Sequence, residues 1–396
     1  MRILLKRIDL DKYQDRIEAS NRRRAASVKF EEGDCVATHV SVAGSYYAWL
    51  FGVNIRDYYT DLDTQIEVQM RGNKWRLDNV PDDRSDCHLG YDAGPVGEGI
   101  AFDCEVEYHD DTSPRIVPFI HSAEDIEKLQ PIDPRDNPRV QEHMRRGEEF
   151  VDRVKEFGIS VPASGRTVGI HPPLSCACAI APPDYVYYLM GADPPLARKL
   201  FEKCHEQYVM LTEYRLELFG GSRDSTGLCD DNCSFISAEM YVEQVLPWNK
   251  RIYDEYGRKH RSLHSDGPHH QHFETYANIL HLNHVDIGGW SRLEPAVAIL
   301  KPARCVVHGG LNNRDLYDGW TETLRQKIRQ RIRLAAPGGG YIFAIGGETY
   351  AGTDPEVLCR TFEYAHEVGK YPIEIPDEEW LEEEDRPWSL AEAKAG

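Results

Sequence analysis

The sequence predicts an α/β protein folded as a (β/α)8 (TIM) barrel with a helical extension at its N-terminus. Two observations lead to this prediction. Eight strand candidates are each followed by sequence of helical character, and the alternation continues along the 396 residues without a break in composition. We therefore expect a helical extension over residues 1–90, a barrel over residues 91–370 whose first strand lies near residues 34–40, and an acidic tail over residues 371–396.

Two periodicities define the elements in chain order. The strand candidates are short apolar runs bounded by turn residues, and they cover residues 34–40, 97–108 (a strand or hairpin), 167–170, 226–229, the run ending at 263, 285–287, 305–307 and 341–345. The helix candidates carry apolar residues three and four positions apart, and they cover residues 11–30, short helices within 45–90, 123–129, 138–157, 194–219, 237–256, 273–282, 294–300, 316–332 and 355–368.

Charge and cysteine content exclude several classes of function. A net charge of -20 argues against nucleic acid or an anionic membrane as the main partner, because phosphate binding needs clustered Lys and Arg. Among ten cysteines, the close pairs Cys176/Cys178 and Cys229/Cys233 have no second pair that would complete a structural zinc site. Reduced thiols, with no signal peptide and no membrane-spanning run, predict a cytoplasmic protein. The number of subunits stays open, with a homodimer among the alternatives.

Polar residues follow the predicted strands, where a barrel carries its catalytic groups. These strand-end residues are His39, Asp103 with Cys104, His171, Asp230 with Asp231, His264 with Asp266, Trp290, His308 with Asn312, and Glu348. His264 and Asp266 are two positions apart on an extended backbone, so their side chains are expected on one face.

The same region is rich in histidine. Seven of the 16 histidines lie between His260 and His284, a cluster that could bind a metal, move protons or hold an anionic substrate. For His269, His270 and His272 the sequence favours a solvated loop and the start of the next helix.

Several candidates keep two interpretations. Asp230 and Asp231 suit a general acid and base pair, since two close carboxylates raise one pKa, or a helix cap beside a solvated acid. His308 precedes Gly309 and Gly310, which would let a ligand approach the backbone or would simply form a tight turn.

With His171 and Asn312, Gly309 and Gly310 form the predicted cofactor-binding set. His171 is as ambiguous as His308, because it stands directly before two prolines.

An ordered set of segments resembles the uroporphyrinogen decarboxylase superfamily. The segments are residues 99–108, 228–232, 237–239, 245–248, 263–267, 307–310 and 340–346. The resemblance extends from about Arg22 to Val368. It implies a (β/α)8 barrel and is closer to the cobalamin-linked methyltransferase branch than to the decarboxylase proper, whose N-terminal arginine cluster is only loosely matched by Arg22, Arg23 and Arg24.

In the methyltransferase branch, a zinc ion is held by a His-x-Cys pair and by a cysteine at the last strand, and the methyl group travels on a corrinoid of a partner protein. Here His264 matches, Asp266 stands in the cysteine position, and the last cysteine falls at about Gly347 with Glu348 beside it. The resemblance therefore implies a harder site of His264, Asp266 and Glu348 for a divalent metal such as zinc.

The leading hypothesis is a corrinoid-linked methyltransferase acting on a small molecule, with Asp230, Asp231, His264 and His308 as catalytic residues. Methylcobalamin or another corrinoid would be bound to a carrier protein. The first alternative is a metal-independent decarboxylase or lyase that uses Asp230 or Asp231 for proton transfer. The second is a non-catalytic protein that binds a corrinoid or another small molecule.

Overall fold

The computed structural model describes residues 5–84, 87–165, 168–378 and 381, and these residues form two compact units. Unit 1 lies within Met1–Ile8, Gly44–Asn73 and Cys87–Lys259. Unit 2 lies within Asp9–Ala43, Lys74–Asp86 and His260–Gly396. The predicted division into extension, barrel and tail stays a prediction. Most of that tail, residues 379, 380 and 382–396, lies outside the described residues.

The described strands share a short length. They are β1 Ala37–Val42, β2 Leu89–Gly90, β3 Val106–Glu107, β4 Arg115–Ile116, β5 Ala163–Ser164, β6 Ser225–Cys229, β7 His260–His264, β8 His284–Asp286, β9 Val306–Leu311 and β10 Tyr341–Thr349.

Helices make up most of the remaining structure. The α-helices are α1 Gln14–Lys29, α2 Gly44–Leu50, α3 Ile55–Thr60, α4 Leu62–Asn79, α5 Gly97–Ala101, α6 Ala123–Lys128, α7 Pro138–Glu156, α8 Pro173–Ile180, α9 Pro183–Ala192, α10 Pro194–Phe219, α11 Ala238–Met240, α12 Leu246–Tyr256, α13 Phe273–Asn278, α14 Leu293–Pro295, α15 Glu322–Ala335 and α16 Pro355–Val368. Short 3-10 helices are Leu10–Tyr13, Asp231–Phe235, His270–His272 and Asn313–Leu316, and π-helical turns are Tyr241–Val245 and Ala296–Leu300. None of the described helices combines the length and apolarity needed to cross a bilayer.

Unit 2 is built on a parallel sheet in which five of its strands follow the order β1, β10, β9, β8, β7. The register aligns His264 with Asp286 and Asp286 with His308. Three polar residues on three neighbouring strands are therefore brought to one level, which is the placement that the strand-end rule for parallel sheets predicts.

The sequence of helix α16 in unit 2 explains where this helix begins and which residues it buries. Asp354 caps it by accepting from the Glu356 backbone N–H at 2.8 Å, and Pro355 fits the first turn because its missing N–H is not needed there. The helix buries Leu358 and Phe362, and Phe362 packs edge to face against Phe343 of β10 with ring centres 6.2 Å apart.

Unit 1 is mainly helical around the long helix α10. Asp193 caps that helix by accepting from the Leu196 backbone N–H at 3.2 Å, and the helix ends at Gly220, whose φ of 68° suits glycine. The buried face carries Leu200, Cys204 and Tyr208, at the spacing that the sequence predicts.

The comparison with the predicted elements confirms an α/β fold with a parallel sheet. Six of the eight strand candidates are strands, and helices α10 and α16 have the predicted bounds. A closed ring of eight strands is not found among the described residues.

Two strand candidates were wrong. Residues 97–108 form α5 and the short strand β3, which pairs antiparallel with β4, and residues 168–170 are not a strand. The two segments approach each other closely, since a Cβ on Gly97 would lie 1.9 Å from the carbonyl oxygen of Gly169. Thr167 lies outside the described residues.

Candidate functional site

The centre of unit 2 is a charge network around Asp286. Its Oδ2 atom lies 2.8 Å from Nδ1 of His264 and 3.6 Å from Nδ1 of His308, and its Oδ1 accepts from the Gly288 backbone N–H at 3.0 Å. On the other side of the imidazole, Nε2 of His264 is 3.1 Å from Oδ1 of Asp266. His264 is thus held between two carboxylates.

This arrangement fixes which groups are charged. Burial lowers the pKa of His264, but the carboxylates of Asp266 and Asp286 outweigh it and raise that pKa to about 11. Burial also raises the pKa of Asp286, yet the charged ring of His264 and the Gly288 N–H reverse this and hold it well below its usual range. At neutral pH, His264 is an imidazolium and Asp286 a carboxylate.

Neutral imidazoles adjoin this ion pair. The His308 ring packs edge to face against His39 at 5.0 Å and against His284 at 5.3 Å. Burial lowers the pKa of His308 and of His39, and lowers that of His284 to about 3. Nε2 of His308 has no hydrogen-bond partner among the described residues. His308 is therefore a neutral neighbour of the charged pair.

A cavity of about 170 Å³ opens beside Asp266. Its lining within unit 2 is Asp266, Gly289, Trp290, Asn312, Asn313, Gly346, Gly347 and Tyr350. Gly347 has a φ of 71°, and a Cβ there would lie 2.6 Å from Oδ1 of Asp266. Glycine at 347 makes room for the carboxylate of Asp266, so a cysteine at this position would collide with it.

Only two of the three metal ligands that the resemblance implies lie next to each other. His264 and Asp266 are adjacent, but Glu348 has an exposed side chain, and its backbone oxygen accepts from Nδ2 of Asn313 at 2.9 Å. One ligand atom from each of His264, Asp266 and Glu348 does not fall within 4.8 Å of the others. These residues therefore do not form a ready three-ligand site, and no chemical step is assigned to a metal held by them.

In unit 1, the two acidic neighbours after β6 have different surroundings. Asp230 is fully buried and accepts from Oγ of Ser175 at 2.7 Å and from Nδ2 of Asn249 at 2.8 Å. Burial raises its pKa, partly offset by these two hydrogen bonds. Asp231 is half-buried and has its Oδ2 atom 3.5 Å from Sγ of Cys229. Asp230 therefore connects the side chains of Ser175 and Asn249, and Asp231 lies nearer to a surface.

His171 is paired with a buried carboxylate that the sequence analysis did not identify. Its Nδ1 lies 2.7 Å from Oε1 of Glu98, and its backbone N–H donates to the same oxygen at 2.6 Å. Burial lowers the pKa of His171, but Glu98 outweighs it and raises that pKa to about 9. The sequence signal was the pair of glycines around Glu98, which permits close packing and disfavours the strand predicted there.

The remaining residues predicted to bind a cofactor are part of a strand or cap a helix. Gly309 and Gly310 lie inside β9 rather than in a turn, and a Cβ on Gly310 would lie 2.6 Å from Oη of Tyr341. Oδ1 of Asn312 accepts from the Arg314 backbone N–H at 2.8 Å to cap a 3-10 helix. The expectation of a turn was wrong, because β9 continues through both glycines.

Two further expectations can be compared with the structure. His269 and His272 are fully buried, so the expected solvated loop was wrong for them; the His269 backbone N–H donates to Oγ of Ser291 at 3.0 Å. Asp103 forms an exposed ion pair with Arg139 at 2.8 Å and is not part of the network around Asp286.

Comparisons with known proteins come from family models, curated proteins and solved structures. The model of the uroporphyrinogen decarboxylase (URO-D) family matches residues 95–368. Among solved structures, the chain is similar to a methyltransferase from Methanosarcina mazei, with 15% identity and a TM-score of 0.61, over 87% of this chain and 97% of that one. No curated protein matches the chain. The structural likeness supports the fold, because identity is too low to carry a function.

Proposed function

The chain belongs to the uroporphyrinogen decarboxylase family, and from this premise we propose that it transfers a methyl group between a small molecule and a corrinoid carried by a separate protein. The observation that carries the proposal is the pairing of Asp266, which lines the cavity of unit 2, with the charged ring of His264. The likeness to a methyltransferase supports the choice of branch.

The charge of the cavity argues for a neutral or cationic substrate. Asp266 is its charged lining residue, and no Lys or Arg is among the lining residues that the structure describes. A tetrapyrrole with several carboxylates would need cations there, since an unpaired buried charge is costly. Trp290 and Tyr350 are exposed aromatic residues at the same cavity, and their rings can hold an amine or an apolar methyl-bearing group.

Proton transfer is the step that this chain's own residues can supply. Methylation of a hydroxyl or amine releases one proton, and the reverse reaction takes one up. Asp266 is placed to exchange that proton with a substrate in the cavity, and Nε2 of His264 lies 3.1 Å from its Oδ1 atom. Asp286 holds His264 by its Nδ1 atom, so it is a positioning residue.

The corrinoid supplies or takes up the methyl group when its carrier protein docks. A divalent metal at His264 and Asp266 stays a prediction, and it would take the place of the proton on Nε2 while Asp286 kept Nδ1. A His264→Ala protein that retains metal and turnover would contradict it.

The test uses the full chain with free methylcobalamin as the probe and a panel of small alcohols, amines and thiols. We expect a change in the visible spectrum of the corrinoid together with a methylated product detected by mass spectrometry. His264→Ala should slow the reaction by about 100-fold or more, because it removes the partner of Asp266, and a general acid–base group contributes in that range. The control His205→Ala changes a half-buried histidine that packs on Trp248, with ring centres 5.4 Å apart, and should retain the wild-type rate.

Other outcomes would overturn the proposal. Release of carbon dioxide without any corrinoid requirement would support a decarboxylase or lyase. Uptake of cobalamin with no change in the corrinoid or in any substrate would support a binding protein. An equal loss of rate in His264→Ala and His205→Ala would remove His264 from the chemistry.

A further inference from the structure

We propose that His171, Cys229 and Asp231 of unit 1 form a three-ligand binding site for zinc(II). One nitrogen, one sulfur and one oxygen atom from these residues lie within 4.8 Å of one another. In a tetrahedral site with ligands about 2.0–2.3 Å from zinc, the ligand atoms lie about 3.3–3.8 Å apart, so the three side chains would draw together when zinc binds. The proposal goes beyond the methyl-transfer function and does not depend on it.

The backbone around β6 explains why two ligands converge. Cys229 is the last residue of β6 and Asp231 begins the 3-10 helix that follows, so only Asp230 separates the two residues in the chain. The intervening Asp230 is bonded to Ser175 and Asn249 instead. The side chains of Cys229 and Asp231 approach to 3.5 Å between Sγ and Oδ2.

The third ligand is supported as metal-binding histidines usually are. Nδ1 of His171 is 2.7 Å from Oε1 of Glu98, and Glu98 is 1% exposed. That contact leaves Nε2 as the ring atom for a metal and fixes the orientation of the ring. The second bond from the His171 backbone N–H to the same oxygen, at 2.6 Å, holds the start of this segment in place.

The donor set indicates the metal and the kind of site. A nitrogen, a thiolate and a carboxylate oxygen suit zinc, whereas magnesium and calcium prefer oxygen ligands throughout. Three protein ligands leave a fourth position for water or for an anionic oxygen or sulfur group of a small molecule. All three residues are half-buried rather than enclosed, which leaves room for an incoming group at the fourth position.

Cobalt(II) is the probe, because a thiolate ligand gives it a near-ultraviolet charge-transfer band that nitrogen and oxygen ligands do not give. Metal-free full chain titrated with Co²⁺ should develop this band, saturate at about one equivalent, and lose the band when Zn²⁺ is added. The Cys229→Ser variant should lack the band.

Two other variants are matched to this measurement. Cys359→Ser changes a half-buried cysteine of α16 in unit 2 and should keep the band. His205→Ala changes the half-buried histidine that packs on Trp248 and should also keep it, because none of the three ligands is altered. Absence of the band in the wild-type chain, or its persistence in Cys229→Ser, would overturn the proposal.

Glu98, the carboxylate that contacts His171, gives a second test in which all three proposed ligands are retained. Glu98→Gln should weaken Co²⁺ binding by about 10- to 100-fold while the thiolate band stays, since supporting residues tune affinity to that extent. If Cys229→Ser does not fold, as judged by circular dichroism, His171→Gln takes its place and should abolish saturable binding. Wild-type affinity in Glu98→Gln would contradict the role of Glu98.

Discussion

Asp230 in unit 1 and Asp286 in unit 2 are carboxylates at strand ends, and burial acts on both in the same direction. The neighbours of Asp230 are the neutral donors Ser175 and Asn249, and its pKa is raised. Asp286 has the imidazole of His264 at 2.8 Å, and its pKa is lowered. The partner, more than the depth of burial, therefore decides in which direction the pKa of a buried acid is shifted.

Asp230 and Asp286 therefore have different roles in their two units. A carboxylate with neutral partners holds local structure, since its hydrogen bonds tie β6 to α8 and α12. A carboxylate with a cationic partner keeps that partner charged and gives the site a fixed positive group beside the cavity. Three measurements test how far this contrast holds.

Asp286→Asn should have the largest effect. It removes the counter-charge of His264 and leaves a half-buried imidazolium with Asp266 as its remaining carboxylate partner in the network described above. Breaking a buried ion pair from one side costs about 3 kcal/mol, measurable as a loss in the free energy of unfolding in urea. Asp266→Asn is the control: that side chain is 44% exposed, so the loss should stay below about 1 kcal/mol. Equal losses would remove the contrast.

The pH dependence of stability should be the next largest effect. The pKa of His264 is about 11 in the folded protein against 6.5 unperturbed, so the folded state holds the extra proton between these values. The stabilisation is complete below about pH 6.5 and is lost as pH rises toward 11. Its slope cannot exceed about 1.4 kcal/mol per pH unit, and screening at this partly exposed ring makes it smaller. Urea unfolding of wild type and His264→Gln from about pH 7 to about pH 10 measures the difference; parallel curves would refute it.

Asp230→Asn should have the smallest effect of the three. The amide keeps one acceptor for Ser175 or Asn249 and presents its NH₂ group to the other donor. That lost hydrogen bond is partly offset because a buried charge is removed, so the net loss should be about 1 kcal/mol. A double-mutant cycle with Ser175→Ala isolates the contact. A loss as large as that of Asp286→Asn would show that neutral partners matter as much as charged ones.

The sequence predicted those elements whose signals are local. The bounds of α10 and α16 follow from an acidic cap, a proline in the first turn and a glycine at the end. Residues 97–108 were misjudged because Ile100, Ala101 and Phe102 form an apolar run, while the close approach of Gly97 to Gly169 is a tertiary contact that the sequence does not reveal.

For the candidate site, the sequence identified His264 and Asp266 but not Asp286 or Glu98. In the sequence, Asp286 is a single acid after a short apolar run. Its importance comes from the register of β7, β8 and β9, which spacing along the chain does not contain. Glu98 likewise becomes significant only because the fold brings it to His171, a residue far along the chain.

The opposite orientations of Asp230 and Asp231 limit how this segment can evolve. Deleting or inserting one residue after β6 would shift both Asp230 and Asp231 along the chain. The contacts of Asp230 with Ser175 and Asn249 and the contact of Asp231 with Cys229 would then be lost together. Substitution at 229 or 231 changes one group at a time and leaves the scaffold acid in place. Descendants of this sequence are therefore expected to vary here in residue type while the length of the segment stays constant.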